Sequence, residues 1–215
     1  LQGEPNMANK DAPFGFRAVG GMGSSYETQG TSKYQIYDNS TSAIYQGDLC
    51  MLGNYNSTAT DANSNAVQVG YISVAAIDED TLNFGVFNGC FYTDPTTSKP
   101  TWKNYYPGAV NITTGKINAY CYDNPQQLFE VQTAGTLTQA SVGNLVDTNT
   151  YVAGSTINGH SKEEISGTVV STGATGQWRI IRLSEDPDNS DTGSANSNWV
   201  VRLNESVYYN GAVLT

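Results

Sequence analysis

The stretch NWVVRL, residues 198–203, puts Trp199, Val201 and Leu203 on one side of an extended chain and Val200 and Arg202 on the other. A period of two belongs to a strand with one face buried. It recurs in short runs. KYQIY aligns Tyr34 with Ile36, and AVQVGYISVAAI aligns Val67, Val69 and Tyr71 against Ile72 and Val74. GKINAYCYD and LFEVQ flank an Asp-Asn-Pro-Gln-Gln turn, and LNFGVFNGCFY is interrupted by Gly85 and Gly89, as at a bulge or tight bend. No segment sustains a helical apolar period of about 3.6 residues. Many short strands with turn signals between them predict an all-β protein, a β-barrel or a jelly-roll-like sandwich, with long loops.

Residues 1–32 have little apolar periodicity and include Gly15, Gly20, Gly21, Gly23 and Gly30. They read as an extended N-terminal arm anchored by Phe14, Phe16 and Val19, ahead of a single all-β domain over 33–215. Polar loops are expected at NYNSTATDANSN and SEDPDNSDTGSANSN, and TDPTTSKPTWKNYYPG reads as an irregular excursion carrying an aromatic cluster. SKEEIS, residues 161–166, has the Ser-x-x-Glu spacing of a capping box and predicts one helical turn.

The surface must be unusual. Asn, Ser and Thr number 21, 19 and 23, against 10 Lys and Arg and 20 Asp and Glu. Such a neutral, hydroxyl- and amide-rich covering suits β-proteins of assemblies or extracellular settings. The net charge is -10, and the cations are scattered rather than clustered. Nucleic acid and anionic membranes call for clustered Lys and Arg, so neither is expected as a partner. No run approaches the ~20 apolar residues needed to span a bilayer. The N-terminal LQGEPNMANKDAPFGF lacks an apolar leader core, so a signal peptide is expected to be absent or already removed. Cys50, Cys90 and Cys121 each lie in an apolar strand pattern, odd in number and widely spaced. They read as buried free thiols of a protein folded in a reducing cytoplasm.

Catalytic chemistry finds little support. His160, the only histidine, lies in a polar loop, NGHSKEE, without the partners of a nucleophilic triad or a zinc site. The acidic groups at 78–80, 163–164 and 185–188 sit in turn contexts, where carboxylates solvate or cap backbone amides. Asp186, Asp188 and Asp191 lack the glycine and terminal glutamate of a calcium loop. The expectation is therefore no enzyme, no metal and no cofactor.

Glu130 lies within the apolar strand LFEVQ. Alone in a core it would cost several kcal/mol or lose its charge. Either Phe129 and Val131 point inward and Glu130 outward, or Glu130 pairs across a sheet with one of the mid-strand arginines, Arg179, Arg182 or Arg202. The second reading is favoured, and in both the residue is architectural.

ANKDAPFGFRAVG, IYQGDLCML, FGVFNGCFY, NYYPG, AYCYDNPQQLFEVQ and QWRIIRLSEDPDN followed by NWVVRLNE occur in this order over most of residues 8–206. In that order the chain resembles the capsid decoration, or cement, proteins of tailed bacteriophages. The resemblance implies a non-enzymatic virion protein on the outer surface of the head, assembled in the host cytoplasm. It implies a homotrimer that staples neighbouring capsomers of the major capsid protein. Phe14, Phe16 and Arg17 of the arm, with Trp102, Tyr105 and Tyr106, are then the expected contacts, because aromatic and arginine anchors dominate interfaces. Two alternatives are a carbohydrate-binding β-module, its exposed Tyr and Trp lining a sugar site, and a tail or baseplate structural protein.

Overall fold

A computed structural model describes residues 9–22, 30–36, 40–52, 72–74, 83–112, 115–171, 175–185, 189 and 193–208. The polar loop at 54–65, the apolar positions Val67, Val69 and Tyr71, the acids at 78–80 and Asp186, Asp188 and Asp191 lie outside the described residues.

The chain is all-β, as the alternation predicts. Its strands are β1 (Arg17–Gly21), β2 (Ser32–Ile36), β3 (Ile44–Tyr45), β4 (Leu49–Leu52), β5 (Ile72–Val74), β6 (Asn83–Thr93) and β7 (Pro100–Lys103). They continue with β8 (Tyr105–Tyr106), β9 (Ile117–Tyr122), β10 (Gln127–Gln132), β11 (Leu145–Val146), β12 (Trp178–Leu183) and β13 (Asn198–Leu203). A first antiparallel sheet runs β1-β10-β13-β12-β11. A second runs β2-β9-β6-β4-β5, with β7 paired to the far part of β6, and β3 pairs with β8 in a small ribbon.

Strand alternation divides the interior in two. One core holds Phe129 and Val131 of β10, Trp178 and Ile180 of β12, and Trp199, Val201 and Leu203 of β13, facing Leu49 and Val86 of the second sheet. The other lies on the opposite face of the second sheet, with Ile117, Ala119 and Cys121 of β9 against Tyr34, Phe84, Phe87, Cys90 and Tyr106. Trp178 and Trp199 are fully buried, and each indole N–H has a hydroxyl acceptor, Thr148 Oγ1 and Ser197 Oγ, both at 2.9 Å. The three cysteines are buried and free, as expected.

The first correction concerns the arm. Residues 17–21 are an edge strand of the chain's own first sheet, paired with β10. Phe16 is buried and stacks on Trp178, ring centroids 4.0 Å apart and planes 15° from parallel. The preceding stretch is tied down by Gln132, whose Nε2 donates to Lys10 O at 3.0 Å and whose Oε1 accepts from Ala12 N at 3.0 Å. Gly15 serves a close approach. A Cβ on Gly15, whose φ is +73°, would collide with Ser161.

The second correction concerns Glu130. Phe129 and Val131 do point into the core and Glu130 away from it, yet Glu130 is only 4% exposed. Its partner is Arg17, directly opposite on β1, with the Ser184 hydroxyl as a second donor. The register excludes the predicted arginines. Val200 faces Glu130 on the other side and separates it from Arg182, while Arg202 lies opposite Leu128. Arg179 donates to Gly143 O at 2.7 Å, Arg182 reaches Glu185 at 3.6 Å, and Arg202 donates to Gln126 Oε1 at 3.4 Å. The predicted turn at 161–166 is also replaced. Ser161 Oγ accepts the Glu163 N–H at 3.0 Å, but Ile165 bridges to Thr133 and Thr148 in extended form.

Candidate functional site

The second sheet presents its outer face in two halves. In one half Leu49, Met51, Val86 and Tyr122 are covered by the first sheet. The register of β6 on β9 then shifts between Phe87 and Gly89, leaving Asn88 as the extra residue of a bulge. Beyond it, Phe91 pairs with Asn118 on one side and Trp102 on the other, and Gly89 pairs with Tyr120. These residues share the outer face, and the first sheet does not reach them. Trp102 is 51% exposed and Phe91 38%.

Gly89 makes this aromatic face possible. The Trp102 indole lies across it, so that a Cβ there would stand 2.5 Å from Cζ2. The indole leans on Tyr120, with centroids 5.3 Å apart at a 49° tilt. Lys33, opposite Tyr120 on β2, is exposed at the margin. Ile157, 97% exposed, adjoins Asn158, whose carbonyl accepts from Asn104 Nδ2 at 2.6 Å just past β7.

A cleft of about 340 Å³ opens where the covered half ends. Phe14, Phe87 and Tyr122 supply aromatic walls, and Arg17, Asn88 and His160 supply polar edges. The Arg17 guanidinium stands 5.1 Å from the Phe14 ring centroid, so its charge is shared between that ring and Glu130. Gln46 Nε2 donates to Asn88 Oδ1 at 3.0 Å, which fixes the bulge against the turn after β3.

Beneath that turn are two carboxylates. Asp48 is 0% exposed and Glu163 2%. Asp48 Oδ2 accepts from Tyr45 N at 2.7 Å, and Glu163 Oε2 accepts from Leu49 N at 2.8 Å. Burial raises the Asp48 pKa to about 6, against the opposing pull of bonds from Ser161 and Tyr45. Burial, reinforced by the Asp48 charge, pushes Glu163 well above the usual carboxylate range. Tyr151 and Cys50 are raised first by their own burial and further by these two acids. The sequence anticipates amide capping by acids at 163–164, and Glu163 does cap an amide, but its burial and its closeness to Asp48 were not foreseen. The one signal in the sequence is the Gly47-Asp48 pair, a turn signal between the apolar runs at 44–45 and 49–52. It marks the turn without revealing what packs on it.

The expected contact residues divide. Trp102 is exposed, Arg17 is exposed through most of its side chain, and Phe14 is half-buried at the cleft. Phe16 and Tyr106 are buried within the fold and are corrected from contacts to core. The Tyr106 hydroxyl donates to Ser40 O at 3.0 Å. Tyr105 is half-buried and stacks on Tyr45 at 5.8 Å. The companions of Trp102 are thus Phe91 and Tyr120, from strands far apart in sequence. His160 is exposed in a loop, as expected. Among the described residues no three His, Cys, Asp or Glu side chains assemble as metal ligands.

Compared with known proteins, the chain matches no protein-family model, no curated protein and no solved structure.

Proposed function

We propose that this chain is a non-enzymatic structural protein of a tailed-phage particle. It decorates the outer surface of the head, joins neighbouring copies of the major capsid protein and associates with itself as a trimer. The observation that carries this reading is the bare aromatic half-face of the second sheet. Trp102, Phe91 and Tyr120 form a contiguous surface on a rigid sheet, and large exposed aromatics are the residue types that anchor interfaces. The order of sequence motifs supports the head as the setting. The net charge of -10 disfavours binding to packaged DNA. The test is cosedimentation with mature DNA-filled heads and with unexpanded precursor shells. Binding to mature heads that Trp102→Ala abolishes is the expected result. A folded chain that pellets with neither particle refutes the reading.

A second reading rests on the same platform. An indole lying flat over Gly89, with Asn118 beside Phe91 in register and Lys33 at the margin, has the composition of a sugar-stacking site. Saturable binding to a purified glycan, lost in Trp102→Ala, with no affinity for heads, selects it instead.

A further inference from the structure

Asp48 and Glu163 lie 115 positions apart in the sequence and are brought together, both excluded from water, at the turn after β3. Glu163 accepts the amide of Leu49, the residue next to Asp48. Ser161 ties the two together, hydrogen bonding to the Asp48 side chain while its Oγ accepts the Glu163 amide. Tyr45 and Cys50 face the pair from β3 and β4, Tyr151 from its loop, and Cys121 of β9 stands behind Cys50. All of these are neutral when protonated, so none offers a counter-charge. His160 and Lys162, which flank Ser161, are exposed. Asp48 Oδ1 is buried with no hydrogen-bond partner. Two carboxylates excluded from water cannot both ionise cheaply, and a neutral carboxyl needs no counter-ion.

We infer that Asp48 and Glu163 hold one proton in common, and that this proton clamps the turn after β3 to the segment 159–165 beneath the cleft. Asp48 Oδ1, which no protein donor reaches, is where that proton belongs. The clamp lies directly under residues that shape the cleft. Gln46 N donates to Gly159 O at 3.0 Å, and Ser161 N donates to Gln46 O at 2.9 Å. Gln46, Gly47 and His160 all line the opening. Proton loss puts two negative charges under this wall, so alkalinity loosens it and mild acid tightens it. The binding partner proposed above plays no part in this inference.

The experiment has two arms. The infrared spectrum of the folded wild type at about pH 7 is expected to contain the carbonyl stretch of a neutral carboxyl, greatly reduced in Glu163→Gln. On raising the pH from about 5 to about 8, the wild-type unfolding constant is expected to grow at least roughly tenfold, and that of the double variant Asp48→Asn/Glu163→Gln less than about twofold. No neutral-carboxyl band in the folded wild type overturns the inference. So does a wild-type unfolding constant that stays level over the same range. The spectrum of the wild type decides the matter even if the variant does not fold.

Discussion

Glu130 and the Asp48–Glu163 pair are both carboxylate sites removed from water, and the protein stabilises them by different means. Glu130 sits mid-strand in the first sheet and has a cation directly opposite, Arg17, and a hydroxyl, Ser184. Asp48 and Glu163 have backbone amides, one serine hydroxyl and each other. The first site answers its carboxylate with a cation across a strand ladder. The second lowers its charge by retaining a proton, and its stability therefore depends on pH. The short segment from Phe14 to Arg17 touches both. Arg17 reaches Glu130, Phe16 N donates to Gly47 O at 2.9 Å, and Gly15 packs on Ser161.

That shared segment is where the comparison breaks most severely. Phe16→Ala removes the ring stacked on Trp178 and frees the strand that carries Arg17. A loss of about 3–4 kcal/mol is expected in urea unfolding. Arg17→Ala isolates the first site alone. It leaves a buried carboxylate with only a serine donor, and about 2 kcal/mol of stability should be lost at neutral pH.

Glu163→Gln sharpens the contrast in the opposite direction. The folded Asp48 pKa, about 6, lies above its ordinary value, and Glu163 shifts the same way. The folded protein therefore binds more protons than the unfolded chain. This contribution is complete below the unfolded carboxylate pKa, near pH ~4, and is lost as pH rises through the folded values. The glutamine variant should match wild type in acid and exceed it by about 1 kcal/mol at about pH 8, read from thermal melts. The smallest effect is expected at Trp102. Its ring is half exposed, so Trp102→Ala should shift folding stability by less than about 1 kcal/mol while removing partner binding.

The fold class was legible because it depends on local alternation. The inward turn of Trp199, Val201 and Leu203 can be read from six consecutive residues. Glu130's need for a donor was legible for the same reason, since a charge in an apolar strand must be answered. Which donor answers it was not, because that depends on which strands become neighbours. Three mid-strand arginines looked suitable, whereas Arg17 lay in a Gly-rich stretch read as an arm that reaches a partner. The aromatic face was half legible. Trp102 stood out in its Pro-bounded stretch, but Phe91 and Tyr120 join it only through the register of β6, β7 and β9. The Asp48–Glu163 pair was least legible. Each acid looks like an ordinary turn residue in its own context, and only the meeting of two distant segments makes it otherwise.

The position of β1 also governs the order in which the chain can mature. Arg17 and Glu130 are separated by 113 residues, and the ladder that β10 shares with β1 continues directly into β13. During synthesis the first strand must therefore wait for β10, and for the β12 that carries Trp178, to emerge before its final neighbours exist. Until then the Phe16 ring, the anchor of the segment, has no Trp178 to rest on. Pairings this distant in sequence make for slow folding. Docking of the segment 14–17 completes the Glu130 ion pair and one wall of the cleft together.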